Sequence, residues 1–216
     1  MPIQKTAAEI AEMIETGSTL MIGGFLAVGT PENVVDAIVA KGTGNLIGIG
    51  NDTAFPGVGI GKLVSAGLLK KMITSHVGTN PETTRSVENG RMELELVPQG
   101  TLAERIRSGG AGLGGILTPT GVGTAVAEGK TVLTVDGQEY LLEKPMKADF
   151  ALIHAECADL AGNLQYVGTT RNFNPVMATA AKVVVAEVNS VIDSFFDPNH
   201  IHTPGILVDY IVRRDT

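Results

Sequence analysis

The segment Leu20–Glu32 carries the residue types and spacing that most directly suggest chemistry. A run of apolar residues that ends at Ile22 predicts a buried strand. Three glycines follow this strand, and glycine lets bare backbone approach a ligand and adopt positive φ angles: Gly23, Gly24 and Gly29. The segment therefore predicts a ligand-binding loop after a strand, with a purely structural tight turn as the alternative.

A helix is predicted to begin directly after this loop, with Thr30 as its cap and Pro31 as its first residue. A strand, a glycine turn and a helix N-terminus together direct several N–H donors at one point. Such an arrangement suits a phosphate, a carboxylate or a developing oxyanion. The residues alone thus indicate a generic anion or thioester site.

Length and composition predict one α/β domain over residues 1–216. The chain has 216 residues, 44% of them hydrophobic, which is enough to bury a full core. Its 27 glycines are spread over many turns, as expected of a fold with many short connections. The net charge of −7 argues against nucleic acid as a partner, since that binding depends on basic patches.

Two further features indicate a cytoplasmic protein. No apolar run approaches the roughly 20 residues needed to span a bilayer, so we expect no membrane segment. Cys157 is the only cysteine, which excludes an intrachain disulfide and fits a reducing compartment.

Predicted strands and helices alternate through most of the sequence, which indicates a largely parallel sheet with helices on both faces. Two short strands at 131–135 and 139–142, joined by Asp136-Gly137, predict an antiparallel hairpin. The expected fold is therefore a three-layer α/β/α sandwich with a small antiparallel hairpin insertion.

Local signals also place several helix starts. Thr6 with Glu9, and Thr101 with Glu104, have the spacing of capping boxes. Asn80-Pro81 predicts a further helix start, and a last helix is expected over 174–181.

The order of residues in the glycine segment resembles the signature of the α subunits of family I coenzyme A transferases. Further segments resemble the same family in the same order, so the resemblance covers most of the chain. They are Asn51-Asp-Thr-Ala, Ser75-His-Val-Gly-Thr-Asn-Pro81, Pro98-Gln-Gly-Thr-Leu-Ala-Glu-Arg-Ile-Arg107, Gly109–Gly115, Leu117-Thr-Pro-Thr-Gly-Val-Gly-Thr124, Ala148-Asp-Phe-Ala-Leu-Ile153 and Arg171-Asn-Phe-Asn-Pro175.

The resemblance implies transfer of CoA between a short-chain acyl-CoA (acetyl-CoA, butyryl-CoA or acetoacetyl-CoA) and a short-chain acid such as acetate or acetoacetate. It also implies the related α/β fold of sugar-phosphate isomerases. In this family the covalent glutamyl-CoA thioester forms on a β subunit, within a Ser-Glu-Asn-Gly motif. The resemblance therefore implies a β-subunit partner, an α2β2 assembly, no prosthetic group, and no catalytic nucleophile in this chain.

The site residues expected here are backbone groups and neutral side chains. Gln99 is a neutral donor for the substrate acid, and Asn51 is a second candidate donor near the acyl group. Each has a structural alternative, as a side chain that ties down a turn. The residues expected to line CoA or the thioester are Gly23, Gly24, Phe25, Leu26, Ala27, Val28 and Gly29.

Other suggestive residues are interpreted as structural. Glu88, in Ser86-Val87-Glu88-Asn89-Gly90, departs from the β-subunit motif by one residue, and it falls at the end of a predicted helix. The glycines at 110–115 follow a helix and not a strand, which argues against a dinucleotide site. No metal site is expected, and no role is assigned to four remaining residues: His76, Glu156, His200 and His202.

Two other functions stay open from the sequence. One is a non-catalytic subunit whose glycine loop merely holds an acyl-CoA. The other is an enzyme of related architecture, either sugar-phosphate isomerase-like or a self-sufficient hydrolase, which would need a catalytic carboxylate within this chain.

Overall fold

The computed structural model describes residues 2–214. The fold is built on one large sheet and the helices that cover it. The strands are β1 (Ile3–Gln4), β2 (Thr19–Ile22), β3 (Leu46–Ile49), β4 (Leu69–Thr74), β5 (Glu93–Leu96), β6 (Ile116–Thr118), β7 (Val132–Val135), β8 (Gln138–Glu143), β9 (Ala148–Ala158), β10 (Leu164–Gln165), β11 (Ala181–Val191) and β12 (Tyr210–Arg213). The α-helices are α1 (Ala7–Met13), α2 (Glu32–Lys41), α3 (Ile60–Ser65), α4 (Pro81–Glu88), α5 (Gln99–Gly110) and α6 (Asn174–Met177), and short 3₁₀ turns lie at Ala125–Ala127, Gly168–Arg171, Pro198–His200 and Gly205–Leu207.

The large sheet is parallel except at one short strand. Its order is β1-β12-β11-β9-β2-β3-β4-β5, and β10 pairs with β9 in the antiparallel sense. The chain builds outward from β2 to β5 on one side, and then from β9 through β11 to β12 on the other. The strand order therefore reverses between β2 and β9.

Helices bury both faces of this sheet, as the predicted three-layer fold requires. On one face the core contains Leu102 and Ile106 of α5 and Met177 of α6. On the other face the core includes residues of α1, α2 and α3, among them Ile10 and Ile38. The central strands are apolar on both sides, as is typical of parallel sheets. The expected α/β/α fold is thus confirmed.

The predicted hairpin is present and belongs to a small three-stranded sheet. β7 and β8 pair in the antiparallel sense around Asp136-Gly137, both of which have positive φ angles. β6 adds to the other side of β8, a strand that the sequence did not predict. The prediction of a single domain over residues 1–216 stays a prediction.

Two predicted caps are wrong. Helix α2 begins at Glu32, Pro31 occupies the cap position, and the Thr30 hydroxyl donates to the Gly23 carbonyl 3.0 Å away. Helix α5 begins at Gln99, so Thr101 lies inside the helix and cannot cap it. In both places a proline occupies the cap position. Pro31 puts the start of α2 one residue after the predicted start, and Pro98 puts the start of α5 three residues before it.

Two other predicted helix starts are confirmed, and one predicted helix is shorter than expected. The Thr6–Glu9 capping box is confirmed, with both of its hydrogen bonds formed. Asn80 caps α4 by accepting from the Glu82 N–H. The helix expected over 174–181 ends at Met177 instead, because Ala181 already begins β11. Among the described residues, no helix combines the length and apolar character that crossing a bilayer requires.

Candidate functional site

The predicted site residues lie at one edge of the large sheet. Strands β2 to β5 are parallel, so their carboxyl ends meet at this edge. The glycine loop (residues 23–29) follows β2, Asn51 comes shortly after β3, and Gln99 comes shortly after β5. The loop also lies where the strand order reverses, between β2 and β9. In open α/β sheets this crevice is the usual place for a ligand.

The tip of the glycine loop is a tight turn. Phe25 and Val28 exchange two backbone hydrogen bonds of 3.0 and 2.9 Å. The two residues between them have positive φ angles, 49° at Leu26 and 69° at Ala27. Two successive positive φ angles are the mark of a type I′ turn, which non-glycine residues adopt only at some energetic cost. The turn therefore needs support from outside the loop.

Most N–H groups of the loop are used within the protein. Within the described part of the chain, those of Ala27 and Gly29 are the ones without an acceptor in this loop. The sequence predicted that several N–H donors converge on a ligand. That prediction is wrong for this loop, where only the two N–H groups of Ala27 and Gly29, among the described residues, are left for one. The other donors have partners in the fold: Gly23 donates to the Leu152 carbonyl, Gly24 to the Asn172 side chain, Leu26 to Asp52, and Phe25 and Val28 to each other.

Two asparagines from a distant part of the chain hold the loop. Asn172 accepts from the Gly24 N–H at 3.1 Å and donates to the Val28 carbonyl at 2.9 Å. Asn174 is fully buried and donates to the Gly29 carbonyl at 3.0 Å. Sequence reasoning assigned neither residue a role. The one available signal was the matched segment Arg171-Asn-Phe-Asn-Pro175, which gave no reason to place it against the loop.

Close approach explains two of the loop glycines. A Cβ on Gly23 would overlap the Asn174 side-chain oxygen and stand 2.6 Å from its carbon Cγ. A Cβ on Gly24, whose φ is +124°, would overlap the Thr30 hydroxyl. The glycines therefore allow the loop to pack directly against the side chains that fix it.

The two candidate acyl-pocket residues contact each other. The Gln99 amide Nε2 donates to the Asn51 Oδ1 at 2.6 Å. Asn51 is only 2% exposed, and its own Nδ2 donates to the Asp52 carboxylate at 2.8 Å. Gln99, in contrast, is exposed. Of the two, Gln99 is therefore the one that can touch a ligand, with Asn51 behind it.

Gln99 also lines a largely apolar cavity of about 610 Å³. The cavity runs between α5 and the segment around α6, and Phe25 of the glycine loop borders it. A volume of this size falls in the range of small-molecule sites. Its lining residues are Phe25, Gln99, Ala103, Arg107, Gly110, Ala111, Asn172, Phe173, Pro175, Val176 and Thr179.

Two titratable groups are buried beside the loop and were not singled out from the sequence. Burial lowers the pKa of His154, and the nearby Arg214 acts in the same direction. Burial raises the pKa of Glu187, whose Oε2 accepts from the Val34 N–H at the start of α2. His154 and Glu187 are register partners on β9 and β11. Both lie within the core and do not line the cavity.

The remaining suggestive residues do not form a second site. His76 is exposed after β4, and Glu156 accepts a hydrogen bond from Asn189. The His202 side chain accepts from the Tyr166 backbone N–H and stacks on the Tyr166 ring. The His200 side chain is largely exposed. Across residues 2–214, no three His, Cys, Asp or Glu side chains come together as a metal site would need.

Two interpretations of motifs as structural are supported by their positions. Glu88 is the exposed last residue of α4, as predicted. The glycine-rich stretch 110–115 begins at the last residue of α5 and leads into β6, so it opens no helix. Burial raises the pKa of the Cys157 thiol, with Glu156 and Asp159 adding to the shift, which argues against a reactive thiolate.

Comparison with known proteins gives consistent matches over nearly the full chain. A family model described as Coenzyme A transferase matches residues 3–214. The chain is 50% identical over 208 residues to the acetate CoA-transferase subunit alpha of Escherichia coli K12, covering 96% of this chain and 94% of that protein. It is 48% identical over 206 residues to the acetoacetyl-CoA:acetate/butyrate CoA transferase alpha subunit of Clostridium acetobutylicum, covering 95% and 94%.

A solved structure shares the fold at lower sequence identity. The acyl-CoA transferase YdiF from E. coli O157:H7, in a thioester complex with CoA, superposes with a TM-score of 0.87 at 22% identity. The match covers 99% of this chain and 47% of the YdiF chain. The present chain thus spans about half the length of that structure, and the likeness shows a common fold.

Proposed function

The chain belongs to the coenzyme A transferase family, and we propose that it is the α subunit of an enzyme that moves CoA between a short-chain acyl-CoA and a short-chain carboxylic acid. The proposed donors are acetyl-CoA, butyryl-CoA or acetoacetyl-CoA, and the proposed acceptors are acetate or acetoacetate. The names of the relatives support this choice, since they refer to acetate, butyrate and acetoacetyl-CoA. The CoA thioester is the substrate, and the proposal includes no prosthetic group.

The observation that carries the proposal is the position of Gln99. Gln99 lines the apolar cavity, and its amide donates one of its N–H groups to Asn51. The second N–H is then available to a carboxylate or thioester oxygen, and a neutral amide meets an acid at little desolvation cost. The N–H groups of Ala27 and Gly29 in the neighbouring loop are the proposed donors to a developing oxyanion.

The proposed nucleophile comes from a separate β subunit. None of the described residues that line the cavity is an acid, whereas covalent transfer needs a positioned carboxylate. We propose that a glutamate in a Ser-Glu-Asn-Gly segment of the β subunit reaches this edge of the sheet, in an α2β2 assembly. A cytoplasmic location fits the lone Cys157 and is part of the same proposal.

The chemistry then proceeds in balanced exchanges. The glutamate oxygen attacks the acyl-CoA carbonyl and expels the CoA thiolate, which leaves a mixed anhydride. The thiolate attacks the glutamyl carbonyl of that anhydride, releases the first acid as its carboxylate, and forms a glutamyl-CoA thioester. The incoming carboxylate reverses both steps. Each tetrahedral intermediate carries an oxyanion that backbone donors can stabilise.

The proposal is tested by combining the purified chain with a β-type partner and assaying acetoacetyl-CoA with acetate. We expect activity from the mixture and none from either chain alone. Mass spectrometry of both chains after incubation with acyl-CoA alone should find the CoA adduct on the β chain. In the complex, Gln99→Ala should lower kcat/KM by about 10²-fold, the loss seen when one oxyanion donor is removed.

The matched control is Gln138→Ala, which removes an exposed glutamine amide in the small sheet, at a position that does not line the cavity. This variant should keep the kcat/KM of the unmodified complex. A stable CoA adduct on any side chain of this chain, or transfer by this chain alone, would refute the proposed division of labour.

A further inference from the structure

Asp52 connects the two halves of the candidate site. It is only 4% exposed and follows Asn51 in the loop after β3. Its Oδ2 accepts from the Leu26 N–H at 2.9 Å, at the tip of the glycine loop. The same oxygen accepts from the Asn51 Nδ2 at 2.8 Å, and Oδ1 accepts from the Ala54 N–H at 2.7 Å. One carboxylate thus supports the strained turn and also contacts the residue behind Gln99.

The charge of Asp52 sets the direction of the amides beyond it. An ionised carboxylate only accepts hydrogen bonds, so Asn51 must turn its Nδ2 toward Asp52. The Oδ1 of Asn51 is then left facing Gln99, which must in turn present its Nε2. Amide oxygen and nitrogen are otherwise interchangeable in shape, so without such an anchor either order fits. The chain of contacts therefore fixes which atoms of Gln99 remain for a ligand.

We propose that Asp52 is a positioning residue for the transfer reaction: it orients the Gln99 amide through Asn51 and holds the tip of the glycine loop through Leu26. This inference rests on the proposed function, since Gln99 matters only if an acyl group or acid binds beside it. Asp52 itself does not touch the ligand, because its oxygens are occupied by protein donors and it does not line the cavity.

The test is a double-mutant cycle between Asp52→Asn and Gln99→Ala, measured as kcat/KM in the complex with the β subunit. Asparagine keeps the size of Asp52 but has one acceptor oxygen, so it cannot satisfy Leu26, Asn51 and Ala54 together. We expect Asp52→Asn to lower kcat/KM by about tenfold or more when Gln99 is present. With Gln99→Ala already in place, the further loss should be at least about threefold smaller, because the part of the effect that acts through Gln99 is gone and only the support of Leu26 remains.

Asp159→Asn is the matched control. Asp159 is 2% exposed and also accepts from the backbone N–H two residues on, at Ala161. Its other partners are Asn163 and Phe196, and none of these contacts Gln99. Its effect should be the same factor with and without Gln99→Ala. If Asp52→Asn behaves in this independent way as well, the role of Asp52 in orienting Gln99 is refuted.

Two additional measurements test the role of Asp52 separately from folding and from the proposed function. If Asp52→Asn does not fold, Asn51→Ala leaves the backbone contacts of Asp52 intact, and its cycle with Gln99→Ala should show the same non-additivity. In the α chain alone, the side-chain amide NMR signals of Gln99 should shift in Asp52→Asn and stay in place in Asp159→Asn. Unshifted signals in Asp52→Asn overturn the inference, whereas an unmodified complex that transfers no CoA overturns the proposed function instead.

Discussion

Gly23→Ala is the substitution whose cost the structure defines best. The φ angle at Gly23 is not in the positive range, so alanine brings no backbone strain of that kind. The added methyl group would instead displace Asn174, which is fully buried. Asn174 accepts from the His154 N–H at 3.0 Å and donates to the Gly29 and Thr170 carbonyls at 3.0 and 2.7 Å.

The magnitude follows from those three hydrogen bonds. At about 1 kcal/mol each, their loss should lower the free energy of unfolding by about 3 kcal/mol. Since a domain of this kind is stable by about 5–15 kcal/mol, the variant should still fold. The assay is urea unfolding followed by circular dichroism. Gly44→Ala is the matched control, because a Cβ there meets no atom within 4 Å and its φ is ordinary.

A double variant tests the cause of this loss of stability more strictly. If displacement of Asn174 is the cause, then Gly23→Ala should add little once Asn174→Ala has already removed that side chain. The double variant should therefore be about as stable as Asn174→Ala alone. Full additivity of the two changes, or a Gly23→Ala protein as stable as Gly44→Ala, would show that the clash is not what makes glycine necessary here.

Three further outcomes are expected. Thr101→Val should leave the free energy of unfolding within about 0.5 kcal/mol or raise it, because the buried Thr101 hydroxyl has no partner among the described residues. A loss of about 1 kcal/mol in urea unfolding would show that this hydroxyl makes a stabilising hydrogen bond and would contradict this expectation. Burial raises the pKa of Glu187 above its usual 4.5, so the wild type loses stability relative to Glu187→Gln as the pH rises above that value. Urea unfolding at about pH 4 and pH 8 measures this trend, and a stability difference independent of pH would contradict it. Native Cys157 should react with a thiol reagent at about pH 8 at least about tenfold more slowly than the unfolded chain, since burial raises its thiol pKa; equal rates would contradict this.

Local signals predicted the fold well wherever neighbours in sequence decide the conformation. The alternation of apolar runs with helical patterns predicted the parallel sheet, and Asp136-Gly137 predicted the hairpin turn. The Thr6–Glu9 capping box formed because both of its hydrogen bonds join residues three apart. Such interactions need no knowledge of the tertiary fold.

The errors arose where a distant or competing contact decided the outcome. The Thr30 hydroxyl was expected to accept from the first turn of a helix. The glycine loop instead folds back so that this hydroxyl donates to the Gly23 carbonyl, and Pro31 takes the cap position. Thr101 was expected to begin α5, yet helical bonding already starts at the Pro98 carbonyl, which accepts from the Leu102 N–H.

For the candidate site, the sequence singled out residues but not the contacts between them, and the roles of those residues stay predictions. Gln99 and Asn51 were singled out separately, and only the structure shows their hydrogen bond. The roles of Asn172 and Asn174 were out of reach, since no local pattern links them to a loop so far back in the chain. The predicted contact of the glycine loop with CoA stays a prediction, to be tested with the β subunit.

The glycine loop and the residues that hold it are far apart in sequence, and this distance sets the order in which they can fold during synthesis. Gly24 and the Asn172 that holds it are 148 residues apart, and the pairing of β2 with β9 closes a similar span. A nascent chain emerging from the ribosome can therefore pair β2 with β3 early, but its binding loop has no support until most of the polypeptide has been made. Assembly with a partner that recognises the finished loop must accordingly wait for nearly complete synthesis, which makes the loop an internal check that this subunit has folded.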